Sequence, residues 1–141
     1  MYRDFVWRII MKLKTGKERV LCISDLQVPF EHKDALDFVS AVGDAINYTK
    51  VVCIGDEVDS FSLSRYDPDP DGPGAGPELE QAVKHLQPWY KKFPEVLVCT
   101  SNHTQRVYKK AFKAGIPENI YVKLMSGLML QMAGYGKIHL R

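Results

Sequence analysis

Short apolar runs alternate along the chain with longer segments of helical period, and each junction between them is marked by polar or turn-forming residues. Residues 19–24 form a β-rich run that stops at Asp25. Residues 26–30 then read as a loop, because Pro29 cannot continue a strand ladder and restrains the residue before it. Over 33–47, Ala35, Leu36, Val39, Val42 and Ile46 recur at the spacing of one helical face. A second strand over 51–54 runs directly into Gly55-Asp56-Glu57-Val58-Asp59. Residues 60–66 predict a short helix, and the Pro/Gly-rich acidic stretch over 67–77 predicts an irregular loop. Pro77 suits the first position of a helix with Leu79, Ala82, Val83 and Leu86 on one face, which bends or ends at Pro88 near Trp89 and Tyr90. A third strand over 95–100 leads into Ser101-Asn102-His103-Thr104. A basic helix with Arg106, Lys109, Lys110 and Lys113 follows, then a break at Gly115 and Pro117, an apolar helix through Tyr121, Leu124 and Met125, and a fourth strand over Lys137–Leu140. Residues 4–14 mix both periods and read as an edge strand before a turn over 15–17.

Strands separated by crossover helices predict an α/β fold, a layered sheet with helices on both faces, formed by residues 1–141 as a single domain. Cys22, Cys53 and Cys99 each precede a polar residue by three positions, namely Asp25, Asp56 and Asn102. Parallel neighbouring strands in that register would bring the three polar ends to one edge, with the cysteines one layer below. Buried cysteine behaves as a small hydrophobe, so the spacing is read as a mark of register rather than as a thiolate metal site.

With 141 residues, 45% of them hydrophobic, the chain can bury one core. A formal charge of +2 is too mild to argue for nucleic acid by itself. An odd number of cysteines, with no close pair, argues against a disulfide framework. No apolar run approaches the roughly 20 residues that span a bilayer, and the chain reads as soluble and cytoplasmic, with no membrane partner.

The polar groups gathered at the sheet edge are Asp25 with Gln27, Asp56 with Asp59, and Asn102 with His103. Oxygen ligands joined by imidazole suit a hard or borderline divalent ion. A pair of such ions about 3.5–4 Å apart would clamp a phosphate and lower the pKa of a bridging water. Asp56 would be shared between the ions, Asp25 and Asn102 would each hold one, and His103 would protonate the leaving group or stabilise charge on phosphate. A solvated junction between strand and loop is the alternative reading of the same residues.

In order and spacing, Asp25-Leu26-Gln27, Gly55-Asp56-Glu57-Val58-Asp59 and Ser101-Asn102-His103-Thr104 resemble the first three motifs of the calcineurin-like metallophosphoesterases. The wording around Ser24-Asp25-Leu26-Gln27-Val28-Pro29-Phe30 is most similar to the compact bacteriophage-encoded members. The resemblance runs from about residue 20 to residue 110. It implies a calcineurin-like core, shortened at its C-terminal end, with Asp25 on the first metal, Asp56 bridging, Asn102 on the second and His103 as the catalytic histidine. Asp59 would support the loop, and a phage protein would work in the host cytoplasm. The cofactor implied is a pair of divalent ions, Mn²⁺ first, with Mg²⁺, Fe²⁺, Zn²⁺ or Ni²⁺ as alternatives.

Gln27 stands where the family usually has a metal-binding histidine, and its amide is a weaker ligand. Ser101 replaces a glycine and Thr104 an acidic residue, and the family's two later histidine motifs do not follow His103. His139 reads as an ordinary strand histidine, and His32 and His85 as helix-surface residues. Two functions follow. One is a metal-dependent hydrolase of phosphate mono- or diesters, of protein-phosphatase or nuclease type; the other is a catalytically weak relative that acts as a binding module through the same edge. Arg106, with the lysines of its helix, is the candidate substrate-binding residue, and nucleic acid is a candidate partner because several of these cations share a helical face.

Overall fold

The computed structural model describes residues 18–67 and 69–120, together with the backbone of Lys137–Leu140. The elements are β1 (Val20–Ile23), α1 (Ala35–Ile46), β2 (Lys50–Cys53), α2 (Ala75–Lys92), β3 (Glu95–Val98), α3 (Thr104–Lys113) and β4 (Lys137–Leu140), with a 3₁₀ turn at Phe61–Leu63. The strands form a parallel sheet in the order β1-β2-β3-β4. The mixed α/β class and the parallel neighbours expected from the sequence are therefore present. The edge strand expected over 4–14 and the apolar helix through Tyr121 lie outside the described residues.

Side chains alternate along a strand, so register decides what each face carries. Leu21, Val51 and Val96 lie at one level, and Ile23, Cys53 and Val98 at the next level on the same face. All six are buried, and they share a core with Val39 of α1 and with Ala82, Leu86 and Trp89 of α2. The helices α1 and α2 thus cover one face, as right-handed connections between strands added in one direction require. On the opposite face Leu97 is 36% exposed and, just past β2, Ile54 is 46% exposed.

This register corrects the reading of the cysteines. Cys22 pairs with Val52, whereas Cys53 pairs with Ile23 and Val98. The one-residue slip turns Cys53 to the opposite face from Cys22, so the cysteines form no common layer. Burial of the branched aliphatic set fixes the alignment, and the chemical likeness of the three cysteines does not.

A second correction concerns α2, which begins at Ala75, two residues before the expected start at Pro77, and runs on through Pro88. Proline in a helix interior removes one hydrogen bond and costs about 3 kcal/mol. Pro88 is on the exposed side, while Trp89 and Tyr90 just beyond it, and Phe93 at the helix end, are buried. Burying such side chains contributes about 1.5–3 kcal/mol each, which outweighs the break. Replacing Pro88 with Ala should therefore stabilise the protein by about 2 kcal/mol, the helical gain less the entropy that proline removes from the unfolded chain. A rise of several degrees in Tm by calorimetry is the expected outcome.

Candidate functional site

Beyond β1 and β2 the two chains stay zipped together through their loops. The Asp25 N–H donates to the Gly55 carbonyl (3.2 Å), Gln27 to Asp56 (2.9 Å) and Val28 to Glu57 (2.8 Å), and Asp59 donates back to Val28 (3.1 Å). This pairing continues to a bridge between Val28 and Val58, and the Val28–Pro29 peptide is cis. It is achieved with Asp25, Gln27, Asp56 and Ser60 all in the left-handed region, at φ between 51° and 58°. Non-glycine residues in that region are uncommon, cost of order 1–3 kcal/mol each, and concentrate at functional sites. Gly55, at φ +110°, lies against the β3 exit, where an added Cβ would come within 2.5 Å of the Ser101 Cβ.

The β3 exit is held by its own turn. The Ser101 hydroxyl accepts from the Thr104 N–H (3.2 Å) and lies 3.1 Å from the Thr104 hydroxyl, satisfying the open start of α3. His103 is buried there, and its N–H points at Asp56 Oδ1 (3.4 Å). The imidazole lies between two carboxylates, with Nε2 3.9 Å from Asp56 Oδ2 and Nδ1 3.1 Å from Asp59 Oδ1. The shorter contact is off-line for a hydrogen bond and acts as a close electrostatic one.

Arg106, in the first turn of α3, faces inward. Its Nη1 donates to the Asp59 carbonyl (2.7 Å) and lies 3.4 Å from both Asp59 Oδ1 and the Ser60 carbonyl. Its Nη2 is 2.8 Å from His103 Nε2. A guanidinium has donors only, so a neutral ring would accept at Nε2 and carry its proton on Nδ1, facing Asp59. Asp25, by contrast, is exposed and bonded to the Ser24 hydroxyl. Asn102 is exposed on the turn before α3, and Gln27 is half-buried. The structure thus brings Asp56, Asp59, His103 and Arg106 into contact and aligns the Asp25 and Gln27 backbone beside them.

Glu57 takes no part at this edge. Its carboxylate turns down into the apolar layer between sheet and α2, beside a cavity of about 30 Å³ lined also by Ile23, Cys53, Leu86 and Tyr90. Burial, first, and the neighbouring Asp56 push its pKa up, against hydrogen bonds from its own backbone and the Cys53 thiol. Burial also raises the Cys53 thiol and the Tyr90 phenol. Desolvation raises Asp59 as well, and the neighbouring His103 and Arg106 only partly offset this.

Sequence reading missed Glu78, which is 2% exposed on α2. Its carboxylate accepts from the Phe61 N–H (2.7 Å), the Ser62 N–H (3.1 Å) and the Ser62 hydroxyl (2.7 Å), fixing the turn that follows Asp59 and Ser60. The signal was its position four residues before Ala82 and eight before Leu86, on the apolar stripe. His32 lies on the turn before α1, where its Nδ1 accepts from the Asp34 N–H (3.2 Å), rather than on a helix. His85 is on α2, paired through Nδ1 with Glu31 Oε1 at 2.6 Å.

Among the described residues no three His, Cys, Asp or Glu side chains converge as a group that could hold a metal. The predicted ligand set contains only two such residues, Asp25 and Asp56; Gln27 and Asn102 are amides. As a donor set, two carboxylates and two amide oxygens fit a hard divalent ion whose shell is completed by water. No described helix is long and apolar enough to cross a membrane. No family model, curated protein or solved structure matches the chain.

Two outcomes follow from this geometry. Gly55→Ala should destabilise the protein by about 2–4 kcal/mol, combining a strained φ with overpacking, read as a lower urea midpoint. For Glu57, a folded pKa raised above its ordinary 4.5 means that the native state binds the proton more tightly than the unfolded chain does. Its stability contribution is therefore full below the unfolded value and lost as pH rises through the folded one. In the metal-free protein, denaturant melts of Glu57→Gln across pH should show this decline removed.

Proposed function

We propose that the chain is a metal-dependent phosphoesterase of calcineurin-like type, acting on phosphate mono- or diesters at the carboxyl edge of its parallel sheet. The observation that carries this reading is the left-handed backbone at Asp25, Gln27 and Asp56, three of the four residues expected to meet the metal pair. Such strain persists only where surrounding structure enforces it, and here the loop ladder and Gly55 do so. In this reading Asp25 and Gln27 serve one ion, Asn102 the other, and Asp56 both. When bound, the ions would supply an activated water and charge neutralisation on phosphate.

The remaining work falls to the chain's own side chains. His103, fixed between Asp56 and Asp59, would protonate the ester oxygen as it leaves, and Asp59 holds the imidazole by its Nδ1 side. Arg106 supplies the cation that meets a phosphate oxygen, within a site otherwise rich in carboxylates. The reading as a weakly active binding module draws on the two amides in the ligand set, since fewer charged ligands retain metal less well.

Calorimetric titration with Mn²⁺ and hydrolysis of a chromogenic phosphodiester test both readings on the same proteins. Asp56→Asn should abolish metal binding, because it removes the one carboxylate expected to touch both ions. His103→Ala should keep metal binding and lower kcat by about 10²- to 10⁴-fold, the usual range for a lost general acid. Gln27→His should tighten Mn²⁺ or Zn²⁺ binding by restoring a nitrogen ligand. Undiminished metal binding by Asp56→Asn would remove the two-metal assignment.

A further inference from the structure

The basic residues of α3 do not act alike. Lys109, Lys110 and Lys113 are exposed, whereas Arg106 is drawn into the site with its side chain 22% exposed. Its two terminal nitrogens do different things. Nη1 is anchored at 2.7 Å on the Asp59 carbonyl, with the Ser60 carbonyl and Asp59 Oδ1 each 3.4 Å away. Nη2 makes one contact in the site, at 2.8 Å, and its partner is the nitrogen of His103 that would face a leaving group. The histidine thereby has Nε2, which also lies 3.9 Å from Asp56 Oδ2, covered by a cation that cannot accept a hydrogen bond.

We propose that Arg106 is a phosphate-operated cover on His103. In the free protein Nη2 holds Nε2; when a phosphate oxyanion enters, Nη2 transfers to it while Nη1 keeps its anchor on the Asp59 carbonyl, and Nε2 is released to take up a proton from solvent, which it then gives to the leaving oxygen. This rests on the phosphoesterase reading and deepens it by naming what readies the histidine. The exchange is favourable because a hydrogen bond to an anionic oxygen is stronger than one to a neutral ring nitrogen. Geometry permits it because the guanidinium is a rigid planar fork, so one nitrogen can change partner while the other serves as pivot. Lysine, a point charge with one nitrogen, cannot do both.

The anchor is itself enforced from below. Glu78 fixes the Phe61 and Ser62 amides, which sets the Ser60 carbonyl and, one residue earlier, the Asp59 carbonyl on which Nη1 pivots. Arg106 is thus a positioning residue for His103 as well as a ligand for the substrate anion.

The test uses the full ¹⁵N-labelled chain, stripped of metal, with inorganic phosphate as the probe and the His103 ring assigned by comparison with His103→Gln. Long-range ¹H–¹⁵N spectra should place the proton of the wild-type ring on Nδ1, and phosphate should shift the Nε2 resonance. In Arg106→Met the Nδ1 preference should be lost and phosphate should leave the ring unmoved; Arg106→Lys should bind phosphate without restoring the preference. In turnover, Arg106→Met should raise KM by about 10- to 100-fold, the range of one charge-assisted hydrogen bond, while kcat changes little because Nε2 is already free. A wild-type ring protonated on Nε2, a wild-type ring indifferent to phosphate, or an Arg106→Met ring that responds as the wild type does would each overturn the proposal. The ring spectra need no turnover, so absence of hydrolysis in every protein would count against the phosphoesterase reading and leave the cover decided separately.

Discussion

The close passage of the β2 exit over the β3 exit is the constraint on which the candidate site depends. Gly55 lies where any side chain would collide with Ser101, and its φ of +110° is one that other residues rarely adopt. Because the two exits touch, Asp56 reaches the turn that carries His103, and the carbonyls of Asp59 and Ser60 come within reach of Arg106. Widening that approach would separate the carboxylates from the imidazole without changing any residue that performs chemistry.

Adjacent residues leave β2 for opposite destinies. Asp56 faces the edge and meets the His103 backbone, while Glu57 is sent into the apolar layer beside Tyr90 and Leu86. The left-handed turn of the backbone at Asp56, held by the hydrogen bonds to residues 25–28, sends the two side chains apart. The site therefore has one carboxylate fewer than its sequence suggests, and Arg106 is set against Asp59, with Asp56 on His103. Lower down, Glu78 is buried and stabilised by two backbone amides and a hydroxyl.

Periodicity made most of the scaffold legible. The strands near 20, 51 and 95 and the helix over 35–46 are each within two residues of where the pattern puts them, since burial of one face dictates both pattern and structure. Pro88 was misleading because a local penalty was weighed without the aromatic burial that follows it. The cysteine spacing was misleading because chemical likeness does not set register. At the site, the meeting of the three strand ends was legible from strand length and polar termini. The inward turn of Arg106 and the role of Glu78 were not, since both depend on the loop over 59–62, whose path no local pattern specifies. Ser101 three residues before Thr104 at the start of a helix was a readable cap, and it was passed over because the same stretch was read for catalysis.

Strand order has a consequence for how the molecule is made. Each strand from β1 to β4 is laid beside the one synthesised before it, so pairing never waits for a distant segment to return between strands already joined. Topologies built from neighbouring pieces fold faster than those that close long loops. Asp25, Asp56, Asp59, His103 and Arg106 all precede β4 in the chain, and the pairs that join their loops lie within β1, β2 and β3. During synthesis the edge that carries the chemistry is laid down in order from its first carboxylate to its arginine, before the strand that completes the described sheet leaves the ribosome.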